Sequence, residues 1–364
     1  MHSSHPMASY LPRSFRVLAP LLLIGLLACK KELGATSVIT PSVLTPATTF
    51  TNPLLSSGPD PWVVQKDGVY YYMATTGGNV TIRKTAKMSE LSTAPSFRVW
   101  GPQPNSDNTN NVWAPELHFL DGKWYIYYTA GPGNQSCCGG QRSWVLENAN
   151  ADPTTGAWTE KGRLISPTQD FWSIDMTVFE QGGNRYALWS GQPGLGNNEQ
   201  RIYISAMSNP WTLTGPRVQL SKPELSWELN GNPKVNEGPE ILQHNGKTFL
   251  VYSASHCSTD DYALGQLTLT GANPLDAASW TKSPTPVFVK SPANRAYGPG
   301  HNGFFVSKDG TQNWIVYHAN SNPNEGCGNP RNPRMQQFTW NPDDSPNFGT
   351  PVAIGTALAR PSGE

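Results

Sequence analysis

The hydrophobic and polar positions of this chain repeat one pattern five times: a short apolar strand, a tight turn and an alternating aromatic strand. One repeat runs from Glu237 through the Asn245-Gly246 turn into Lys-Thr-Phe-Leu-Val-Tyr-Ser. The turn glycines recur at regular spacing, at positions 68, 122, 183, 246 and 310. Asp-Gly, Asn-Gly and Gly-Gly favour two-residue hairpins, because such turns need two positive φ angles. Each repeat is therefore predicted to begin with a β-hairpin.

Regular recurrence of one hairpin predicts a repeat architecture, in which each unit buries its apolar surface against the next. Weaker apolar stretches follow every hairpin, and the last two repeats have theirs at 286–289 and 351–354. Residues 50–358 are thus predicted to form an all-β, five-bladed β-propeller with about four antiparallel strands per blade.

The charge balance argues against nucleic acid or an anionic membrane surface as a partner. Lys plus Arg and Asp plus Glu both total 26, which gives a net charge of zero. Only 14% of the residues are charged, so much of the surface is left to Asn, Ser, Thr and Gln. Such a surface suits neutral polar ligands such as sugars, and we expect a monomer.

The N-terminus resembles a bacterial export signal. Arg13 and Arg16 precede an apolar run over residues 17–28 that is too short to span a membrane. The run ends in Leu-Leu-Ala-Cys29, which resembles a lipobox and implies that Cys29 carries a lipid. An ordinary secretory peptide over residues 1–28 is the alternative, and both predict export. Residues 29–49 are predicted to be a flexible tether, so a cell-envelope lipoprotein, periplasmic or on the cell surface, would touch the membrane only through its anchor.

Four further cysteines follow the second strands of their repeats, in loops that are expected to open on one face of the propeller. An oxidising compartment permits disulfides, and Cys257 with Cys327, from adjacent blades, is a plausible pair. Cys137 and Cys138 would form a strained vicinal pair, and four cysteines allow three connectivities. Their spacing does not match a zinc site.

The innermost strand of each propeller blade lines the central channel, so residues at the start of these strands converge on one axis. We interpret four acids and one histidine as holding equivalent positions there, namely Asp60, Glu116, Asp175, Glu237 and His301. A buried carboxylate without a partner is costly, so the set is predicted to be functional. For any single member, a structural cation or a strand cap is the alternative. Paired carboxylates around a polar pocket are the groups that hydrolyse glycosides.

Five segments together resemble glycoside hydrolase family 43, the α-L-arabinofuranosidase, endo-arabinanase and β-xylosidase group, over roughly residues 50–358. The resemblance implies an inverting mechanism with Asp60 as general base, Glu237 as general acid, and Asp175 orienting the acid and tuning its pKa. The chemistry would need no cofactor, although His301 is expected near a water or a Ca²⁺ or Na⁺ ion at the channel floor. The matching segments are Pro59-Asp-Pro, Trp113-Ala-Pro-Glu, Ile174-Asp-Met-Thr-Val-Phe, Glu237-Gly-Pro-Glu and Gly298-Pro-Gly-His-Asn.

Other residues are expected to contact the sugar or to support the fold around it. Arg334 resembles a late family arginine that reaches the sugar, with a solvated strand arginine as the alternative. Glu116 is expected to form a wall of the −1 sugar pocket. Trp62 and Trp113 are expected to stack on a sugar or to pack in the core. Glu240, three residues after the proposed acid, is predicted to lie on the opposite face of the strand and to be structural.

The fullest motif match is to arabinofuranosidases, and it implies exo-acting release of terminal arabinofuranosyl residues from arabinan or arabinoxylan. Endo-1,5-α-L-arabinanase and β-xylosidase remain alternatives within the same family. A sugar-binding propeller without catalysis is the alternative from another class. The intact trio Asp60, Asp175 and Glu237 argues against it, since a pure binding protein has no need of a proton donor.

Overall fold

The computed structural model describes residues 48–134, 139–168 and 170–364, which form five consecutive antiparallel β-sheets. The first blade comprises Trp62–Lys66, Val69–Met73, Val80–Thr85 and Ser96–Trp100. The second comprises Asn110–Leu120, Lys123–Gly131, Arg142–Asn148 and Thr159–Arg163. The third comprises Ser173–Gln181, Asn184–Gly191, Arg201–Asn209, Thr212–Leu213 and Val218–Ser221. The predicted export signal, Cys29, most of the tether, and Cys137 with Cys138 lie outside the described residues.

The last two blades follow the same order. The fourth blade comprises Asn236–His244, Lys247–Ala254, Ala263–Leu269 and Trp280–Lys282. The fifth comprises Tyr297–Val306, Asn313–Asn320, Asn332–Trp340 and Pro346–Asn347. Short 3₁₀ helices lie between strands, at Met88–Thr93, Ser226–Glu228, Ala277–Ser279 and Pro292–Asn294. In the described part of the chain, no helix has the length and apolar character to cross a membrane. The predicted all-β, five-bladed propeller is confirmed.

Four of the five predicted hairpin turns have the expected two-residue form. In the first, Asp67 and Gly68 have φ angles of 52° and 76°, and the second, third and fourth turns likewise have two positive values. The fifth differs, because a longer loop separates its strands and is closed by the Ser307 N–H donating to the Gln312 carbonyl at 2.9 Å.

The hydrophobic core consists of five clusters, one between each pair of neighbouring blades. Alternation along a strand explains this arrangement, because successive side chains point to opposite faces of a sheet. In the second strand of the first blade, Tyr70 and Tyr72 pack toward the fifth blade, and Tyr71 and Met73 pack toward the second. The aromatic hairpin strands therefore connect the blades to one another.

The ring is closed by the segment before the first blade. Thr49–Phe50 pairs with Leu358–Ala359, and the N–H of Leu54 donates to the carbonyl of Pro333 at 2.8 Å. The side chain of Asn52 bonds the backbone of Met335 in both directions, at 2.8 and 3.0 Å. These bonds tie the first residues of the domain to the third strand of the fifth blade.

Two outer strands differ from their prediction. In the fourth blade the outer strand is Trp280–Lys282, and 286–289 contributes only a bridge between Leu264 and Phe288. In the fifth blade the outer strand is Pro346–Asn347 rather than 351–354. Edge strands are short, so the pattern of their side chains identifies them poorly. The stretch 286–289 is apolar for another reason, because Phe288 packs in the core between the fourth and fifth blades.

Candidate active site

The first strand of each blade bends at a residue with positive φ, which interrupts the regular ladder. In four blades the register shifts around this residue, and in the first blade it lies just before the strand. The bending residues are Asp60, Ala114, Asp175, Gly238 and His301. Asp60, Asp175 and His301 therefore hold equivalent positions around the axis, as predicted.

The other two predicted members hold different positions. Glu237 lies one residue before the bend of the fourth blade, and Glu116 lies two residues after that of the second. The prediction of one common register for all five was therefore wrong. In the first four blades the bending residue lies at the same distance before the second residue of the hairpin turn. Glu116 and Glu237 depart from that spacing, so they were grouped with the others by their acidic side chains rather than by position.

A cavity of about 750 Å³ opens over these bends. Its lining contains the three proposed catalytic acids together with His301 and Trp113. Loops that follow the second strands form its rim, which agrees with the expectation that they open on one face. The cavity thus brings together side chains as far apart in the chain as Asp60 and Arg331.

Asp60 is surrounded by cationic and hydrogen-bonding groups. Its carboxylate lies 2.7 Å from Nη1 of Arg331 and accepts a 2.6 Å bond from the hydroxyl of Thr75. Nδ1 of His301 and of His318 lie 3.4 and 3.5 Å away. Burial alone would raise the pKa of Asp60, but Arg331, the two histidines and Thr75 together hold it well below its ordinary value. Asp60 is therefore ionised over the whole neutral range.

Glu237 has the opposite character. Its carboxylate accepts a 3.0 Å bond from the hydroxyl of the buried Tyr262. Burial, with a contribution from the Asp60 charge, raises the pKa of Glu237 to about 7, against the opposing influence of Tyr262 and Arg331. A carboxyl group that keeps its proton near neutral pH can donate it to a leaving oxygen.

Asp175, the third proposed catalytic acid, is buried, with 5% of its surface exposed. One of its carboxylate oxygens accepts a 3.1 Å bond from the N–H of Gly238, and its own N–H donates to the Thr129 hydroxyl at 3.2 Å. Burial, Glu237 and Asp60 raise the pKa of Asp175 well above its ordinary value. Asp175 and Glu237 thus compete for protons, since like charges at close range cannot both form readily.

Residues 50–346 match the sequence model of glycosyl hydrolases family 43. The chain belongs to this family. It is 42% identical over 352 residues to an extracellular exo-α-(1→5)-L-arabinofuranosidase of Streptomyces avermitilis, with 94% of this chain and 71% of the relative covered. A protein of the same name from Streptomyces chartreusis is 43% identical over 276 residues, with 74% and 82% covered. The crystal structure of an α-L-arabinofuranosidase from Lactobacillus brevis superimposes with a TM-score of 0.78 at 37% identity, with 84% and 98% covered.

The arginine assignment needs correction in this family 43 chain. Arg334 is fully buried and donates to the side chains of Asn332 and Ser321, so it does not reach a sugar. Arg331, three residues earlier, lines the cavity and pairs with Asp60. The third strand of the fifth blade begins at Asn332. Arg331 therefore lies just before the strand, in the cavity lining, whereas Arg334 lies within the strand and is buried in the blade.

Trp62 and Glu116, which were also expected near the sugar, lie outside the cavity lining. Trp62 does not line the cavity, but donates through Nε1 to the carbonyl of Leu117 at 3.0 Å and packs on His118. Glu116 is 4% exposed and lies 2.9 Å from Nε2 of His118, so it is not a wall of the sugar pocket. Trp113 does line the cavity, as expected for a stacking residue.

Sequence reasoning missed several residues that line the cavity of this family 43 site or bond its proposed catalytic acids. Thr75 and Tyr262 bond the proposed base and acid, and Trp172 adds a second aromatic side chain to the lining. His318 accepts a 3.1 Å bond from the N–H of Asp60 through Nδ1. A sequence signal for His318 exists, because it follows Tyr317 in the predicted second strand of the fifth blade. Tyr262 lies in a loop whose sequence does not recur, so no pattern indicates it.

The predicted Cys257–Cys327 disulfide is confirmed, with a Cα–Cα distance of 5.1 Å. It joins loops of the fourth and fifth blades, and both cysteines line the cavity. His256 lies within 4.8 Å of both sulfurs. Because the two sulfurs are bonded to each other, they offer no thiolate to a metal ion.

Proposed function

We propose that this chain is an inverting, exo-acting α-L-arabinofuranosidase that removes terminal arabinofuranosyl residues from arabinan or arabinoxylan. The observation that carries the proposal is the contrast between two acids in one cavity. Asp60 is ionised, while Glu237 keeps its proton to about pH 7. A base and an acid with separated pKa values are what glycoside hydrolysis requires.

In the proposed reaction Asp60 removes a proton from a water molecule, whose oxygen forms a bond to the anomeric carbon. Glu237 donates its proton to the leaving oxygen as the glycosidic bond breaks. The water attacks from the face opposite the leaving group, so the configuration inverts. Asp175 is the proposed modulator, because its negative charge favours the protonated form of Glu237.

The choice of arabinofuranose is supported by the names of the relatives, among them the two Streptomyces proteins and an α-L-arabinofuranosidase of Humicola insolens that is 40% identical over 327 residues. Lower-identity relatives named as probable arabinan endo-1,5-α-L-arabinosidases keep the endo-acting alternative open. The cavity wall provides Trp113 and Trp172 for stacking on a sugar face.

The deciding experiment measures release of 4-nitrophenol from its α-L-arabinofuranoside and its β-D-xyloside, with arabinan and arabinoxylan as polymers. The proposal expects activity on the arabinofuranoside and arabinose as the polymer product. Oligomers from arabinan without nitrophenol release would indicate an endo-arabinanase, and preference for the xyloside would indicate a β-xylosidase. Glu237→Gln, which can still accept from Tyr262, should lose about 10²- to 10⁴-fold in kcat. Glu180→Gln, at a hairpin turn of the third blade, is the control.

The site also fits the cation or water expected near His301. His301 is 6% exposed, and the buried Nε2 of His318 has no hydrogen-bond partner among the described residues. Neither does the buried side-chain amide of Asn302. We propose that His301 faces a hydrated Ca²⁺ or Na⁺ ion, which would supply positive charge to the channel floor. Calcium-dependent thermal stability after dialysis against a chelator would test this.

For localisation we propose an exported protein held to the membrane by a lipid on Cys29. Two Streptomyces relatives are named extracellular, which supports export. The anchor rests on the Leu-Leu-Ala-Cys29 segment alone. Incorporation of radioactive palmitate in a bacterial host, and its loss in Cys29→Ser, would support the anchor. Unlabelled protein in the culture medium would instead indicate an ordinary secretory signal.

A further inference from the structure

A second pair of buried acids, Glu116 and Glu240, lies outside the cavity lining, on the first strands of the second and fourth blades. Glu116 and Glu240 are each 4% exposed. Each follows the bending residue of its strand, Ala114 or Gly238, by two positions. Since residues two apart share a face of a strand, this pair lies next to the layer that holds Asp60 and His301.

Hydrogen bonds join the pair to three blades. The Glu240 carboxyl bonds both the Glu116 carboxyl and the hydroxyl of Thr177, which follows Asp175 by two positions in the third blade. Glu116 Oε2 lies 2.9 Å from Nε2 of His118. Glu240 was predicted to be structural and to face away from the site, but the bulge between Glu237 and Glu240 alters the alternation.

Two carboxyl groups bond each other only when a proton lies between them. Burial and the neighbouring Glu116 raise the pKa of Glu240 well above its ordinary value, and Asp175 adds to this. Glu240 is therefore the protonated partner that donates, and Glu116 is the carboxylate that accepts. His118, which packs between Trp62 and Tyr127, supplies the second donor to Glu116.

We propose that Glu116 and Glu240 are positioning residues for hydrolysis: a proton-sharing pair that ties the strands on both sides of Asp175 and holds one negative charge beside it. This inference rests on the proposed function. The charged and titratable groups around the pair are His118 and Tyr127 from the second blade, Asp175 from the third and His301 from the fifth.

The Glu116 charge acts on catalysis through Asp175. Burial, Glu237 and Asp60 raise the pKa of Asp175, and Glu116 raises it further. Removal of this charge makes Asp175 ionise at lower pH. Ionised Asp175 then holds the proton of Glu237 to higher pH, because the two carboxyl groups repel each other when both are charged. The pair therefore sets the pH at which the proposed acid loses its proton.

Two isosteric variants test the proposal. Glu240→Gln keeps a donor to Glu116 and leaves the negative charge in place, so the alkaline limb of its kcat/KM profile should stay at the wild-type pH. Glu116→Gln removes the charge, so the alkaline limb of kcat/KM should move up by about one pH unit. Equal behaviour of the two variants, with both profiles shifted or both unshifted, would mean that the pair only fills space.

An infrared difference spectrum gives a test without substrate. Wild type minus Glu240→Gln at neutral pH should contain the carbonyl band of a protonated, buried carboxylic acid. A missing band overturns the proposal even if Glu116→Gln does not fold, because only Glu240→Gln is needed. A band in a protein that hydrolyses none of the glycosides would leave the acid pair in place, and the proposed function would be the part that fails.

Discussion

The carboxylate of Asp175 accepts a hydrogen bond of 3.1 Å from the backbone N–H of Gly238, the residue directly after Glu237. This bond attaches the proposed modulator in the third blade to the backbone that carries the proposed acid in the fourth. It therefore fixes the Asp175 carboxylate relative to that backbone, while the hydroxyl of Tyr262 holds the Glu237 carboxyl group. Thr129 of the second blade fixes the backbone of Asp175 in the same way.

Asp175→Asn should keep this geometry and change the electrostatics, since an amide oxygen can accept from Gly238. Without a neighbouring carboxylate, Glu237 loses its proton at lower pH, so the alkaline limb of kcat/KM moves down. Each unit of downward shift lowers activity above pH 7 by about tenfold. A pH series of kcat/KM checks this, and an unchanged alkaline limb would contradict the role of Asp175 as modulator.

The wild-type pH profile should be asymmetric. Glu237 must be protonated to act, and its pKa of about 7 means that kcat/KM falls as pH rises through that value. Asp60 must be ionised, and its pKa lies well below its ordinary value, so activity is lost only in strongly acidic solution. Initial rates across pH 3 to 9 would be decisive, and a loss of kcat/KM centred near pH 5 would be incompatible with Asp60 as the base.

Arg331→Gln should raise the pKa of the proposed base, Asp60, so that it becomes protonated at higher pH. Loss of the guanidinium 2.7 Å from Asp60 removes the strongest pKa-lowering charge beside it. The acid limb of kcat/KM should then move up by about 1–3 pH units. Arg360→Gln is the matched control, because Arg360 forms an ion pair of the same length with Glu90 outside the cavity lining. If both variants moved the acid limb alike, the effect would not be specific to Asp60.

The disulfide should support both stability and activity. Cys257 and Cys327 are separated by 70 residues, and loss of a native disulfide typically costs about 2–5 kcal/mol of unfolding free energy. The same loop carries Gly328, whose carbonyl accepts from the side chain of Arg331 at 3.2 Å. Reductant should therefore lower both Tm and kcat of the wild type. The Cys257→Ser, Cys327→Ser double variant should already have both losses and gain none with reductant.

The fold was predictable because its signal is local and repeated. Four turns such as Asp67-Gly68 have the two positive φ angles that their sequence favours, and the aromatic strands alternate toward two neighbouring blades. The positions of Asp60, Asp175 and His301 followed from the same repetition. The outer strands did not, because short edge strands bury few side chains and leave little pattern.

The remaining site residues depend on features that a periodic pattern does not encode. A bulge between Glu237 and Glu240 shifts the alternation by one residue, which misplaced Glu240. Glu116 was misplaced because it lies two residues after the bend at Ala114. The choice between Arg331 and Arg334 depends on where a strand begins, and the strand begins between them. Tyr262 reaches Glu237 from the loop after the second strand of the fourth blade, and the sequences of these loops do not recur between blades, so only the three-dimensional arrangement reveals it.

The positive φ angles of the bending residues have a further consequence. Asp60, Asp175 and His301 hold a backbone conformation that costs a non-glycine residue of order 1–3 kcal/mol, whereas Gly238 adopts it freely. Two of these residues are also buried acids. Selection for stability alone would thus replace the two proposed catalytic acids, Asp60 and Asp175, first, with little effect on the ring of blades. A few substitutions can therefore convert a hydrolase of this design into a more stable sugar-binding protein, whereas the reverse substitutions would lower the free energy of unfolding.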